Sequence, residues 1–431
     1  MPNLSEIALA IVDCEHKTAP TQSSGIPSIR TTNITNGRLD LELAKRVSEE
    51  TYREWTARME PQEGDLILAR EAPVGEVGIV PANTRVCLGQ RTVLVRPNSE
   101  KAVPRYLLYL LLTPEIQHEL KARSEGSTTP HLNVGDIREF VLPELPGLPD
   151  QRRIAHILGT LDDKIELNRR MNRTLEAIAW AIFKSWFVDF DPVHAKAEGR
   201  EPAGMNAETA ALFPDSFQDS PLGKIPNGWE IVELNDLLKL NRESIKPQEC
   251  STEEFDHYSI PAYDSGSPVR EVGHEIRSSK HQVPSSAVLI SKLNPHIPRV
   301  WFPNVAEERR SICSTEFLVC TPQEGISREY LYSLLSSSAF LDQFAQMVTG
   351  TTGSHQRVRP KAFTAMKVVN PSPELLATFT RSTEPLFARC ASAAAESGDL
   401  ATTRDVLLPR LLSGSLRVGS SRLAEVLSDE A

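Results

Sequence analysis

QRRIAHILGTLDDKIELNRRMNRTLEAIAWAIFKSWF, residues 151–187, places apolar, small or amide side chains at Ile154, Leu158, Leu161, Ile165, Asn168, Asn172, Leu175, Ala179, Ile182 and Trp186. The steps between them alternate 4, 3, 4, 3 to the end. Such a heptad seam predicts one long helix whose stripe is buried against a second helix. At 1.5 Å per residue it would extend roughly 55 Å. A stripe of similar rhythm follows at Leu376, Phe379, Thr383, Leu386, Cys390, Ala393, Ser397, Leu400, Arg404, Leu407 and Leu411. Pro385 and Gly398 fall inside it, so the second helix is expected to be kinked or interrupted. Asn168 and Asn172 lie on the first seam, either as buried polar groups that fix register or, if the helix rotates slightly, facing solvent, or with Met171 taking the seam instead.

Each helix closes a repeat. Gly64–Arg70 has a counterpart in Ser286–Lys292, and Arg105-Tyr-Leu-Leu-Tyr aligns with Glu329-Tyr-Leu-Tyr-Ser, an offset of 330 − 106 = 224. The same offset maps Glu125–His131 onto Thr349–His355 and Val134 onto Val358. Common order and near-constant spacing point to duplication. The expected fold is α+β, with two tandem pseudo-repeated domains, 1–148 and 223–370, separated by a spacer of two long antiparallel helices. The spacer helices occupy 149–190 and 371–415, a proline-rich surface crossover occupies 191–222, and 416–431 forms a tail. Short strands are expected at Thr92–Arg96, Ala287–Ser291 and Glu316–Cys320, with one amphipathic helix per domain at 104–122 and 328–347.

The chain has 431 residues, with 47 Lys plus Arg against 57 Asp plus Glu, a net charge of −10. A globally basic nucleic-acid clamp is excluded, while 40% hydrophobic and 24% charged residues fit folded domains. Six scattered cysteines form no CxxC or zinc pattern and read as reduced thiols. No membrane-length apolar run or basic leader occurs, so a cytoplasmic location is expected. Phosphate-loop, GxGxxG, HExxH and GxSxG motifs are all missing, and the chain reads as non-catalytic.

Two hydroxyl-rich loops stand out instead. Gly126-Ser-Thr-Thr-Pro-His131 and Gly350-Thr-Thr-Gly-Ser-His-Gln-Arg357 supply the small donors and cations that meet phosphates and base edges. Ser127, Thr128, Thr129 and His131 are the candidates in the first, and Thr351, Thr352, Ser354, His355, Arg357 and Arg359 in and after the second. Residues 355–367 hold four Lys or Arg and no acid, a basic patch on an acidic chain. Arg70, Lys292 and Arg299 are weaker candidates.

Ala181-Ile-Phe-Lys-Ser-Trp-Phe-Val-Asp-Phe-Asp-Pro, Leu212-Phe-Pro-Asp-Ser-Phe and Leu222-Gly-Lys-Ile-Pro-Asn-Gly-Trp229 resemble the central region of type I restriction-modification specificity subunits. Leu142-Pro-Glu-Leu-Pro, Gln151-Arg-Arg-Ile-Ala and Leu161-Asp-Asp-Lys-Ile resemble its opening, and Leu407-Leu-Pro-Arg-Leu-Leu-Ser-Gly-Ser-Leu its distal counterpart. Ile26–Arg30 and Tyr258–Pro261 resemble the openings of the two target-recognition domains, which adds Arg30, Thr31 and Asn33 to the DNA-binding candidates. The resemblance implies a subunit that reads a bipartite double-stranded DNA site, one domain per half-site. A 55 Å spacer would cover roughly one and a half turns of B-DNA. It also implies two methyltransferase subunits docked on helices and linker, with restriction subunits added. Ile154, Leu158, Leu161, Ile165, Leu175, Ile182, Trp186, Leu407 and Leu411 would form the spacer and docking set. S-adenosylmethionine, ATP and Mg²⁺ would reside on the partners, none on this chain. Two other readings stay open: a stand-alone DNA-binding or regulatory protein, and a coiled-coil protein scaffold.

Overall fold

The computed structural model describes residues 1–124, 130–306, 308–349 and 356–416. The chain divides into two compact units, Met1–Leu167 with Glu396–Ala431, and Asn168–Ala395.

In the first unit a one-turn helix, Leu4–Ile7, leads into the strand Ala8–Asp13. That strand pairs antiparallel with Thr92–Pro97, which pairs with Leu66–Ala69, which pairs with Val77–Ile79. Leu66–Ala69 is a continuous apolar run because both of its faces are covered. Leu66 and Leu68 face one core with Tyr106 and Leu107, while Ile67 and Ala69 face another with Ile29 and Leu94. A second sheet sets Ile26–Ile29 antiparallel to Lys45–Val47 and parallel to Cys87–Leu88.

The second unit repeats both arrangements. Its one-turn helix Leu234–Leu237 leads into Leu238–Asn241, and the sheet order continues through Phe317–Pro322, Val288–Ser291 and Val300–Trp301. Glu254–Tyr258 again has an antiparallel neighbour, Val269–Val272, and a parallel one, Arg310–Cys313. The duplication read from sequence is therefore a duplication of topology. The amphipathic helix expected in each domain is in fact two. Pro104–Leu111 gives way to Pro114–Ala122, and Arg328–Ser336 to Ser338–Gln346. Pro114 cannot donate to the preceding turn, and Ser337 Oγ accepts the Phe340 N–H at 3.2 Å and starts a new helix.

The long helices run over Leu148–Phe187 and Pro373–Leu412, 40 residues each. The expected interruption of the second does not occur. Pro385 is exposed, so water can satisfy the carbonyl that its missing N–H abandons, and buried Phe379, Thr383 and Phe387 hold the flanking turns. Gly398 is also exposed, and a glycine there weakens the helix without breaking it.

The helices run antiparallel within each unit. In the first, Ile154 and Leu158 share a core with Leu407 and Leu411, Asp162 meets Arg404, and Lys164 meets Glu396. In the second, Asn168 Nδ2 donates to the Ala393 carbonyl at 3.3 Å and Asn172 Nδ2 to that of Cys390 at 3.1 Å. The two asparagines are thus inward-facing, bonded to the opposite backbone rather than to each other.

The stretch read as a surface crossover is partly interior. It contains the helix Asp191–Ala197, and Val193 and Phe213 join Phe183, Trp186, Phe187, Ile225 and Trp229 in the second unit's core. The aromatic residues that carry the family resemblance are largely that core.

The second sheet of this unit holds two half-buried imidazoles. His257 bonds Glu271 through Nδ1, and burial, opposed by Glu271, pushes its pKa below the ordinary value. Burial lowers His281 as well, aided by nearby Lys292. Both groups take up protons more readily unfolded than folded. Their stabilising contribution is complete above about pH 6.5 and falls as pH drops, by up to about 1.4 kcal/mol per pH unit for each. Urea midpoints of the second unit should fall between pH 7 and 5.5. Substituting both with Gln should flatten that dependence.

Candidate nucleic-acid interface

In each unit one corner of the main sheet brings two of the predicted contact residues together, Arg70 with His131 and Lys292 with Arg357. Arg70 leaves the strand Leu66–Ala69, with its N–H on the Arg91 carbonyl at 2.8 Å and its own carbonyl accepting from Leu132 at 3.1 Å. Lys292 occupies the matching place after Val288–Ser291. Its N–H meets the Glu316 carbonyl at 2.9 Å, and its carbonyl accepts from Val358 at 3.0 Å. Bridges Glu71–His131 and Leu293–Arg357 complete the correspondence.

His131 therefore corresponds to Arg357, and Leu132 to Val358, which corrects the sequence alignment by two residues. The second copy has two more residues between the N-caps Ser337 and Arg359 than the first has between Thr113 and Asn133. Loop length absorbs them, while the hydrogen-bonded seam stays put.

The side chains at the two corners differ. Arg70 is only 7% exposed. Its Nε donates to the Leu132 carbonyl at 2.8 Å, Nη1 to both Asp13 oxygens at 3.0 and 3.1 Å, and Nη2 faces His131 Nε2 at 3.1 Å. Every nitrogen is committed, so the expectation of a DNA contact is corrected: Arg70 is a strut. His131 Nδ1 lies 3.0 Å from Glu71 Oε1, and Arg91 Nε lies 2.9 Å from Glu71 Oε2. In the second unit Arg357 is gripped by Glu316, Nε to Oε2 at 3.0 Å and Nη2 to Oε1 at 2.9 Å.

The other candidates sort by exposure. Thr31 and Asn33 are buried, with Thr31 Oγ1 donating to the Ala72 carbonyl and Asn33 Oδ1 accepting the Arg30 N–H. Both side chains turn inward. Arg299 is neutralised by Asp264 through two bonds of 2.8 and 3.0 Å, and that guanidinium holds the Asp264 carboxyl below its usual range. The basic patch at 355–367 is half cancelled, since Glu316 takes Arg357 and Glu233 takes Lys367. Arg30, Arg359 and Lys361 are exposed, Lys292 is half-buried, and none has an ion-pair partner among the described residues. Ser127, Thr128, Thr129, Thr351, Thr352, Ser354 and His355 lie outside the described residues.

Sequence reasoning missed Asp13, Glu71, Arg91, Glu316 and Asp264. Glu71 adjoins Arg70, and Glu316 opens a strand that was located, but neither position signals a partner dozens of residues away. In the sequence Asp162 and Asp163 stand only as part of the motif Leu161-Asp-Asp-Lys-Ile, and Glu166 follows it. They are an anchor: Asp162 binds Arg404 and accepts the Tyr109 hydroxyl, Asp163 binds Arg105, and Glu166 binds Arg38. Of the spacer set, Ile154, Leu158, Ile165, Trp186, Leu407 and Leu411 are buried, and Leu161, Leu175 and Ile182 half-buried. Among the described residues no cluster of His, Cys, Asp or Glu could hold a metal, and no helix is long and apolar enough to cross a membrane.

The fold is thus a duplicated α+β unit with a pair of long antiparallel helices. Residues 11–177 match the family described as type I restriction modification DNA specificity domain. The HindI specificity subunit of Haemophilus influenzae is 27% identical over 75% of this chain and 80% of its own length. The MjaIX specificity subunit of Methanocaldococcus jannaschii is 26% identical over 87% of this chain and 82% of its own. The crystal structure of a type I restriction-modification S subunit from M. genitalium shares the fold, with a TM-score of 0.54, 14% identity and 95% of each chain covered. The similarity to type I restriction-modification specificity subunits thus extends over most of the chain.

Proposed function

We propose that this chain is the DNA sequence-specificity subunit of a type I restriction-modification complex and that each unit reads one half of a bipartite site. The observation that carries the reading is the corner built twice on one backbone plan with different side chains, as two unlike half-sites require. Arg30 in the first unit and Lys292, Arg359 and Lys361 in the second are cations suited to phosphates and base edges. A net charge of −10 makes binding by the isolated chain weak and leaves much of the phosphate neutralisation to partners.

On this reading the chain directs methyltransferase and restriction subunits and performs no chemistry itself. S-adenosylmethionine, ATP and Mg²⁺ belong to those partners, and the adenine to be methylated is flipped into the methyltransferase. The test is co-expression with the cognate methyltransferase subunit in a methylation-free host, followed by genome-wide mapping of adenine methylation. A bipartite motif with an unread spacer is expected. A continuous motif, or none, overturns the proposal.

A further inference from the structure

The two corners share a backbone seam but not the side chains that stiffen it. In the first unit Asp13, Arg70, His131, Glu71 and Arg91 form one chain of contacts that passes through His131, the first residue of the segment His131–Asn133. Arg70 can only donate, so His131 Nε2 accepts and Nδ1 carries the hydrogen given to Glu71. The same His131 Nε2 lies 3.1 Å from Asn133 Oδ1, which ties the Asn133 side chain to the imidazole. In the second unit a two-bond clamp, Glu316 on Arg357, holds the equivalent segment Arg357–Arg359. Asn133 and Arg359 occupy the same place, the N-cap of the short helix that follows.

The exchange has a consequence for charge. Where the first unit buries a cation as a strut, the second leaves Lys292 without an ion-pair partner among the described residues. The strut's work passes to Glu316, an acid standing where the first unit has Arg91. Segment and N-cap are thus held rigidly in both units, while the side chains left to face a ligand differ.

We propose that Glu71 with Arg70 in the first unit, and Glu316 in the second, are positioning residues for DNA readout. They act through His131 and Arg357 to fix the backbone that presents Asn133 and Arg359. This rests on the reading of each unit as a half-site reader. A guanidinium in the Arg359 position suits guanine, and an amide in the Asn133 position suits adenine. Neither can discriminate unless its backbone is held.

The test uses the full chain in complex with its methyltransferase partner, on DNA with substitutions in one half-site at a time. Glu316→Gln is expected to relax discrimination at the second half-site by about tenfold, the scale of one base contact, and to leave the first unchanged. Glu71→Gln should do the mirror image. Neither should alter the slope of log affinity against log salt, whereas Lys292→Ala and Arg359→Ala should each lower it by about 1. The exchanged pair Glu316→Arg with Arg357→Glu should recover discrimination lost in Glu316→Gln. The proposal is overturned if Glu316→Gln lowers the salt slope, if both half-sites respond together, or if the exchanged pair does no better than the single variant. A wild-type complex that binds DNA with no sequence preference overturns the half-site reading itself, a result visible before any variant is made.

Discussion

Phe379→Ala is expected to cost the second unit about 3–5 kcal/mol, most of the stability of an ordinary domain. Phe379 is fully buried and its ring lies 5.9 Å from Phe183, 6.1 Å from Trp186, 5.3 Å from Phe187 and 6.1 Å from Tyr330. Three of those rings come from the C-terminal turns of the central helix and one from the sheet-covering helix Arg328–Ser336. Truncation therefore opens a cavity where three elements converge and removes several edge-to-face contacts. Four of the five tryptophans, at 180, 186, 229 and 301, lie in this unit, so fluorescence-monitored urea unfolding reports on it directly. A loss below about 1 kcal/mol would mean that the cavity collapses without cost and that the cluster is not the keystone of the unit.

Asp162→Ala is the second large effect, about 2–3 kcal/mol in the first unit. Its carboxylate binds Arg404 at 2.8 Å and accepts the Tyr109 hydroxyl at 2.7 Å, with Arg38 Nη2 at 3.8 Å. Burial, with Asp162 next to it, drives the Tyr109 phenol well above its usual range. Removing the acid leaves the buried Tyr109 hydroxyl without its acceptor and a mostly buried guanidinium held only by the exposed neighbour Asp405. Asp163→Ala is the matched comparison. It breaks a shorter-range but more exposed pair with Arg105, and exposed pairs contribute under about 1 kcal/mol. Circular dichroism melting of both variants separates the cases. Equal losses would place the anchor in the stretch as a whole rather than in Asp162.

These two sites show what could be read ahead of the structure. The heptad stripe containing Ile154, Leu158 and Trp186 was legible because helix periodicity is written in neighbours three and four residues apart. The repeat was legible too, from Tyr106 against Tyr330 and from the strand ends at Arg70 and Lys292. Phe379 stood on the predicted stripe, but nothing in its spacing said that Phe183, Trp186, Phe187 and Tyr330 surround it. Asp162 read as one acid among several.

Pro385 gives the opposite lesson. Propensity alone predicts a break, and the helix continues because the proline faces water while its neighbours are held by a core that local sequence does not display. The contact residues divide in the same way. Exposed Arg359 and inward Arg70 are both arginines at strand or loop ends, and only the position of Asp13, Leu132 and His131 makes one a strut.

By itself, then, the sequence determined the classes of element, the duplication and the pairing of two long helices. Each of these rests on repeating local patterns of apolar residues. Tertiary structure decided which cations are left to meet a ligand, which acids are anchors, and which residues of the two copies are equivalent. Those outcomes depend on strand register and on charges brought together from as far as 242 residues apart, a coupling that no local pattern encodes.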